Sequence, residues 1–278
     1  MTNVRVGWKQ NLRDGPDLQK VRRARLSGPN IPGAEPPIRA TGWPLNKIRR
    51  GSLVGRVPTI KHAQPMKIGI LGSGTVARTL AKGFLEQGLD IMLGTRKPSS
   101  LSDWTEANPT SFVGSFQAAA EFGDIVVLAV KGYAVEEVLS GIGCHVLEGK
   151  PVIDATNPIS DAGPEKGVLP YFTTHGESLM ERLQRQCPDA HFVKAFNSVG
   201  SGQMVHPSLE GGTPTMFICG DNEDAKIVVT GILHSFGWEV EDMGGVEAAR
   251  AIEPLAMLWC IPGFREGSWN HAFKLLKG

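Results

Sequence analysis

The residues that most strongly suggest chemistry form a short glycine-rich turn. Residues 72–77 read Gly-Ser-Gly-Thr-Val-Ala, which matches the G-x-G-x-x-A pattern of turns that bind the pyrophosphate of a dinucleotide. Gly72 permits the tight turn, Gly74 lets a pyrophosphate approach the backbone, and the small Ala77 allows close packing of a helix on a strand. A helix that begins here directs its unpaired N–H groups at the phosphates. The predicted pyrophosphate site comprises Gly72, Ser73, Gly74, Thr75 and Val76.

A basic cluster follows where a second strand of such a unit ends. An NAD-preferring site carries an acidic residue at this point, bonded to the ribose hydroxyls. Here the strand ends in Thr95, Arg96 and Lys97 instead. A guanidinium, a hydroxyl and an ammonium group suit a 2′-phosphate. The alternative is a solvated basic loop. The sequence therefore predicts a preference for NADP(H) over NAD(H).

Further polar residues stand at the ends of later apolar segments, where ligands of open α/β sheets bind. Ala129 and Val130 are predicted to contact the cofactor, and Lys131 is a candidate proton donor. Asn157 is predicted to bond the nicotinamide carboxamide, although Asn also starts turns readily. The predicted substrate-binding residues are Phe196 and Asn197, with core packing and a turn as their respective alternatives.

These residues need a scaffold of alternating strands and helices, which residues 66–278 supply. Short apolar runs alternate with helical segments, a pattern typical of parallel sheets with crossover helices. The predicted strands are Lys67–Leu71, Asp90–Gly94, Ser111–Val113, Asp124–Val130, Pro151–Ala155, His191–Ala195, Thr215–Cys219 and Trp238–Asp242. The predicted helices are Val76–Gln87, Phe116–Phe122, Ala134–Leu139, Gly176–Gln186, Glu223–Phe236 and Val246–Cys260. The predicted class is α/β: a Rossmann-type doubly wound, mainly parallel sheet over 66–196 with a smaller C-terminal α/β region over 197–278.

Residues 1–65 differ in composition from the rest of the chain. They contain 13 Lys and Arg against three Asp and Glu, are rich in Gly and Pro, and show no sustained periodicity. We expect a largely disordered basic extension. If the extension has a function, it is a transit peptide or an arm that binds nucleic acid. The simpler explanation is an extension without a role, or a start codon assigned too early, with translation beginning at Met66.

Composition narrows the classes of partner. The net charge of +1 gives no reason to expect nucleic acid or a membrane surface, and no apolar stretch reaches the roughly 18 residues of a membrane helix. A cytoplasmic location is expected. The four cysteines lack the spacing of a metal site, so we expect no metal and reduced, mostly buried thiols.

The motifs together resemble the NADPH-dependent reductases of the deazaflavin coenzyme F420. The matching segments are 66–74, 94–96, 154–158, 194–197 and 217–221. The resemblance implies NADPH at Gly72–Val76 and at Thr95 and Arg96, and an acceptor ring near Asn157, Phe196 and Asn197. It also implies hydride transfer to F420 or a flavin, usually in a homodimer. Similar domains deliver hydride to flavin in membrane-bound ferric reductases.

Three functions remain open at this point. The first is hydride transfer between NADP(H) and F420 or a flavin as co-substrate. The second is reduction of a small imine or carbonyl substrate, which requires a proton donor near the nicotinamide such as Lys131. The third is an NADPH-binding sensor without turnover.

Overall fold

A computed structural model describes residues 66–278, and the extension predicted over 1–65 lies outside the described residues. The main feature is a six-stranded sheet in the order β3-β2-β1-β4-β5-β6, in which every pairing is parallel. Its strands are β1 (Lys67–Leu71), β2 (Asp90–Gly94), β3 (Phe112–Gly114), β4 (Ile125–Leu128), β5 (Pro151–Asp154) and β6 (His191–Lys194). This is the order of a Rossmann-type fold, with its topological switch point between β1 and β4.

The described residues contain seven α-helices, of which the first six lie between strands and the last follows β8. They are α1 (Thr75–Glu86), α2 (Ser102–Ala107), α3 (Phe116–Phe122), α4 (Gly132–Ile142), α5 (Leu179–Gln186), α6 (Glu223–Ser235) and α7 (Ala249–Glu266). The sequence did not predict α2, which continues a single 3-10 turn, Pro98–Leu101, and buries only Trp104. A six-residue helix with one buried side chain leaves too short a pattern for periodicity to detect.

The central strands are apolar throughout because both faces of the sheet are covered. Ile125–Leu128 is buried along its whole length, as expected of parallel strands between two helical layers. One core cluster includes Phe84 of α1 and Phe236 at the end of α6. The other lies on the opposite face and includes Leu139 of α4 and Leu183 of α5. This packing fixes the carboxyl ends of the strands, where the candidate site lies.

The C-terminal part adds a small parallel pair, β7 (Thr215–Ile218) with β8 (Glu239–Asp242). It is joined to the main sheet by one antiparallel bridge, in which the Lys194 N–H donates to the Cys219 carbonyl at 3.0 Å. The described residues belong to one compact unit. The predicted division at 196/197 therefore stays a prediction.

Two of the four cysteines are oxidised, whereas all four were expected to be reduced. Cys144 and Cys187 form a disulfide with their Cα atoms 5.1 Å apart, whereas Cys219 and Cys260 are free. The two bonded residues are 43 positions apart in the chain, and only the packing of α4 beside α5 brings them together. Within residues 66–278 no helix combines the length and apolarity needed to cross a membrane.

Candidate dinucleotide site

A cleft of about 770 Å³ opens at the carboxyl ends of β1, β2 and β4. It lies at the topological switch point, where open α/β sheets bind ligands. Its lining contains eight residues that the sequence singled out: Gly72, Ser73, Gly74, Thr95, Arg96, Ala129, Val130 and Lys131. Gly74 and Thr95, 21 residues apart in the chain, thus face one cavity.

Glycine is required at positions 72 and 74 of the turn for different reasons. Gly72 has φ +151°, and a Cβ at this position would lie 2.4 Å from the Ala129 carbonyl oxygen. The Gly72 N–H also donates to the Gly94 carbonyl at 3.0 Å, which fixes the turn against β2. A Cβ on Gly74 would meet nothing within 4 Å. Gly72 is therefore needed by the fold, while Gly74 keeps open the space through which a phosphate can reach the backbone.

The N-terminus of α1 is free to receive an anion. Its N-cap, Gly74, makes no side-chain cap, and the first turn contains no acidic residue. The contrast is α5, whose N-terminus is filled by carboxylates. Glu253 accepts hydrogen bonds from the N–H groups of Leu179 and Met180, and Glu181 forms a capping box with Ser178. Of these two helix ends, only α1 offers unpaired N–H groups and its positive dipole end to the cleft.

The basic corner lies at the end of β2. Thr95 is buried and its hydroxyl oxygen accepts from the Lys97 N–H at 3.4 Å, whereas Arg96 is exposed and lines the cleft. Lys97 is also exposed but lies outside the lining. Arg78 braces this region, because its Nε donates to the Ser73 carbonyl at 3.2 Å and its Nη1 to Asp103 at 2.7 Å. Sequence reasoning did not predict these contacts of Arg78.

One wall of the cleft was missed by sequence reasoning. It is formed by the start of α3 and by one face of α4, through Ser115, Phe116, Gln117, Tyr133, Ala134, Glu137, Val138, Gly141 and Ile142, together with Pro98. A Rossmann-type strand order would have predicted the contribution of α3. In that order β3 lies beside β2, so the start of α3, which follows β3, must approach the basic corner at the end of β2. Lys131 stands at this wall with its Nζ 5.4 Å from the centre of the Tyr133 ring.

The residues predicted for the nicotinamide and the acceptor lie outside this lining. Asn157 donates from Nδ2 to the Asn197 carbonyl at 2.7 Å, and Asn197 donates from Nδ2 to Asn157 Oδ1 and to the Ile252 carbonyl. Asn197 Oδ1 is buried and has no hydrogen-bond partner among residues 66–278. The asparagines are thus brought together at the ends of β5 and β6. Phe196 is 1% exposed and packs against Phe236, so its ring belongs to the core.

Beneath the two asparagines lies a buried charge cluster that the sequence did not predict. Lys194 Nζ lies 2.7 Å from Asp154 Oδ2, 2.9 Å from Glu253 Oε1 and 3.1 Å from the Thr156 carbonyl oxygen. Asp154 Oδ2 makes an ion pair but no well-directed hydrogen bond. Burial by itself lowers the pKa of Lys194, but the charges of Asp154 and Glu253 outweigh it and raise that pKa. Lys194 is therefore a fixed cation and not a proton donor.

Comparison with known proteins identifies the family. Residues 67–158 match the family described as NADP oxidoreductase coenzyme F420-dependent. The crystal structure of a proposed F420-dependent NADP-reductase from Arthrobacter sp. FB24 is 31% identical, covers 76% of this chain and 100% of that chain, and superposes with a TM-score of 0.72. The chain belongs to this family. The family description is that of NADP oxidoreductases.

Other relatives of this family member differ in size and similarity. Metalloreductase STEAP3 from Rattus norvegicus is 31% identical over 204 residues, which cover 70% of this chain and 38% of STEAP3. The chain therefore spans well under half the length of that relative. An imine reductase from Aspergillus terreus is 17% identical, covers 74% of this chain and 64% of that chain, and has a TM-score of 0.54. That likeness shows the fold alone.

Proposed function

We propose that this chain binds NADPH in the cleft and transfers its hydride to a deazaflavin of the F420 type or to a flavin. The observation that carries the proposal is the meeting of an open glycine turn, a free helix N-terminus and Arg96 in one cavity at the switch point. The family description and the name of the Arthrobacter protein support F420 as the acceptor class.

The pyrophosphate half of the proposed site uses backbone. The phosphates would lie over Gly74 and receive hydrogen bonds from the first N–H groups of α1, at Thr75 and Val76. The 2′-phosphate would lie at the end of β2, where Arg96 supplies a forked donor, with Thr95 and Lys97 beside it. The adenosine would then contact the wall made by α3 and α4, including Phe116 and Tyr133. An aromatic side chain at each of these positions suits the planar adenine ring.

The nicotinamide half of the proposed site lies on the other side of the switch point. Ala129 and Val130 lead from the cleft toward β5, and the next polar groups are Asn157 and Asn197. Within residues 66–278 Asn197 Oδ1 is a buried acceptor without a donor, and Asn157, which is only partly buried, is the member of the pair that a carboxamide would contact first. Buried polar atoms in native proteins are rarely left unpaired. The proposal therefore assigns the carboxamide to this asparagine pair.

The proposed hydride transfer requires the protein mainly to position the two reacting rings. Bound NADPH supplies a hydride, which a deazaflavin or flavin ring accepts directly when the two rings are stacked. The protein must hold the rings together and exclude water. The contacts of Lys194 make this part of the site rigid, since they fix the end of β5 through the Thr156 carbonyl. Such a transfer between two rings requires no acid–base pair.

The deciding experiment follows the near-ultraviolet absorbance of NADPH in the presence of the full chain. F420, FMN, FAD, a ferric chelate and a panel of cyclic imines are offered separately. We expect F420 or a flavin to accelerate NADPH oxidation. The ferric chelate is included because some relatives are named metalloreductases.

Each other outcome selects a different function. Turnover of an imine alone would favour the imine-reductase alternative, and Lys131→Ala should then abolish it. Tight binding of NADPH without oxidation by any acceptor would favour the sensor. We also propose that the protein acts as a homodimer with small-molecule partners in the cytoplasm. Size-exclusion chromatography with light scattering tests the dimer, and a molar mass of one chain would contradict it.

A further inference from the structure

The wall of the cleft formed by α4 is held at both of its ends. At the beginning of the helix, Gly132 lies so close to the loop after β5 that a Cβ would stand 1.8 Å from the Asn157 carbonyl oxygen. At its end, the chain passes through Gly143, at φ +74°, to Cys144, which is bonded to Cys187 after α5. The helix is therefore clamped between the main sheet and α5.

The face of α4 that lines the cleft runs along the helix from Tyr133 and Ala134 at its start to the end nearest the disulfide. Glu137, Val138, Gly141 and Ile142 face the cavity, and Cys144 follows Ile142 by two residues. Apart from the disulfide, side-chain hydrogen bonds to this stretch from α5 come from Gln186. Its Nε2 donates to the Glu136 carbonyl at 3.0 Å and to Ser140 Oγ at 2.9 Å. Gln186 directly precedes Cys187, so the disulfide also holds this residue in place.

The two sulfurs differ in access. Cys187 is fully buried, whereas Cys144 is half-buried. Cys144 is therefore the sulfur that a thiolate from solvent would attack, and Cys187 would be the leaving group. The two free cysteines offer no such pair: Cys219 is buried, which raises its pKa to about 12, and Cys260 lies on α7.

We propose that Cys144–Cys187 is a reversible redox site whose state sets the affinity of the cleft for NADPH. The proposal rests on the proposed function. A thiolate of a dithiol reductant attacks Cys144 Sγ, the S–S bond breaks, and Cys187 leaves as a thiolate that takes up a proton. The second thiol of the reductant then displaces Cys144 from the mixed disulfide. Two electrons and two protons pass to the protein, and the reductant becomes a disulfide.

Reduction removes the covalent link between the end of α4 and α5, leaving only the Gln186 hydrogen bonds and the packing of Leu139 in the same core cluster as Leu183. The wall on which the adenosine is proposed to lie is thereby loosened. The oxidised protein has this wall preformed and binds NADPH more tightly, because less freedom is lost on binding. Linkage makes the effect reciprocal, so NADPH must favour the oxidised pair by the same factor.

The test compares the full chain before and after treatment with dithiothreitol. Alkylation after denaturation, counted by mass, should modify two thiols in the oxidised protein and all four in the reduced protein. Titration with NADPH should give a Kd about fivefold higher after reduction, within the usual range for coupled sites. Hydrogen exchange at the amides of residues 139–144 should rise on reduction.

Variants separate the site from general effects of the reductant. Cys144→Ser and Cys187→Ala should bind NADPH like the reduced protein and not respond to dithiothreitol. Cys260→Ser, a free cysteine, should respond like the wild type. Four modifiable thiols without reductant, or one Kd in both states, would overturn the proposal. Absence of NADPH binding in both states would instead contradict the proposed function; amide exchange in α4 then decides the redox site, and unchanged exchange overturns it.

Discussion

At the scale of the residue, Arg96 is the side chain proposed to select NADPH over NADH. It lines the cavity from an exposed position at the end of β2, and no carboxylate stands beside it in the lining at this corner. A guanidinium forms two parallel hydrogen bonds with a phosphate, but it offers no acceptor to the free 2′-hydroxyl of NAD.

Arg96→Asp should therefore weaken the binding of NADPH much more than that of NADH. Loss of a charged hydrogen bond of about 1.5–3 kcal/mol corresponds to roughly a 10- to 100-fold rise in the Kd for NADPH. Isothermal titration of both nucleotides measures the ratio. Arg265→Asp, an exposed position on α7, changes the net charge equally and should alter neither affinity. Equal losses for NADPH and NADH in Arg96→Asp would show that Arg96 does not contact the 2′-phosphate.

At the scale of the element, α1 and α5 show how one kind of helix end serves two purposes. The N-terminus of α1 carries no cap and opens into the cleft. The N-terminus of α5 is closed by Ser178 and Glu181, and Arg250 of α7 donates to the same Glu181 carboxylate. A filled helix end contributes to stability, whereas an open one is available for an anion.

The stability of α5 should decrease as the pH falls. Hydrogen bonds from Arg250, with further ones from Ser178, outweigh burial and lower the pKa of Glu181 to about 2, from an ordinary value of 4.5. Because the folded pKa lies below the unfolded one, this stabilisation is complete above about pH 4.5 and is lost as the pH falls toward 2. Urea unfolding between pH 3 and 7 should show a flatter pH dependence in Glu181→Gln than in the wild type.

At pH 7 the Glu181→Gln variant should lose about 1–2 kcal/mol of unfolding free energy. This is less than the full pKa linkage would give, because the Arg250 side chain is 42% exposed and solvent screens the pair. Glu177→Gln is the matched control, since this carboxylate also pairs with arginine, in its case Arg182 and Arg185, but is 35% exposed. It should change the pH dependence less. A pH slope in Glu181→Gln equal to that of the wild type would contradict the assignment.

At the scale of the whole molecule, the charge cluster around Lys194 joins the sheet to the C-terminal helix. Asp154 comes from β5, Lys194 from β6 and Glu253 from α7, and Glu253 also closes the end of α5. Tyr171, in the loop after β5, donates to the Glu253 carbonyl at 2.9 Å. The cluster therefore connects four parts of the molecule directly below the proposed nicotinamide position.

Glu253→Gln should destabilise the whole described unit and not α7 alone. The neutral amide leaves Lys194 with one counter-charge and presents an NH₂ group to donors, and breaking a buried ion pair costs about 3–5 kcal/mol. Chemical unfolding monitored by circular dichroism measures the loss. Glu266→Gln, at the exposed end of the same helix, serves as the control. If both variants unfold at the same denaturant concentration, the cluster does not hold the molecule together.

The sequence by itself determined those features that depend on local interactions. Residues 67–71 and 90–94 were predicted as strands with the bounds they have, and α3 likewise, because runs of apolar and β-branched residues between turn signals specify local structure. The prediction of the glycine turn is equally local, since φ +151° at Gly72 is open to glycine and strained for other residues. The basic cluster could be placed because the turn upstream fixes where β2 ends.

Only the tertiary structure decided which distant residues meet. The asparagines at 157 and 197, the partners of Lys194, the disulfide and the α4 wall all join residues tens of positions apart, and no local pattern encodes such contacts. Phe196 illustrates the difference: the sequence allowed a ligand contact or the core, and packing against Phe236 places its ring in the core. Side-chain types and local periodicity thus defined the glycine turn and the basic corner of the cleft, while packing of the helices on the sheet defined its remaining wall.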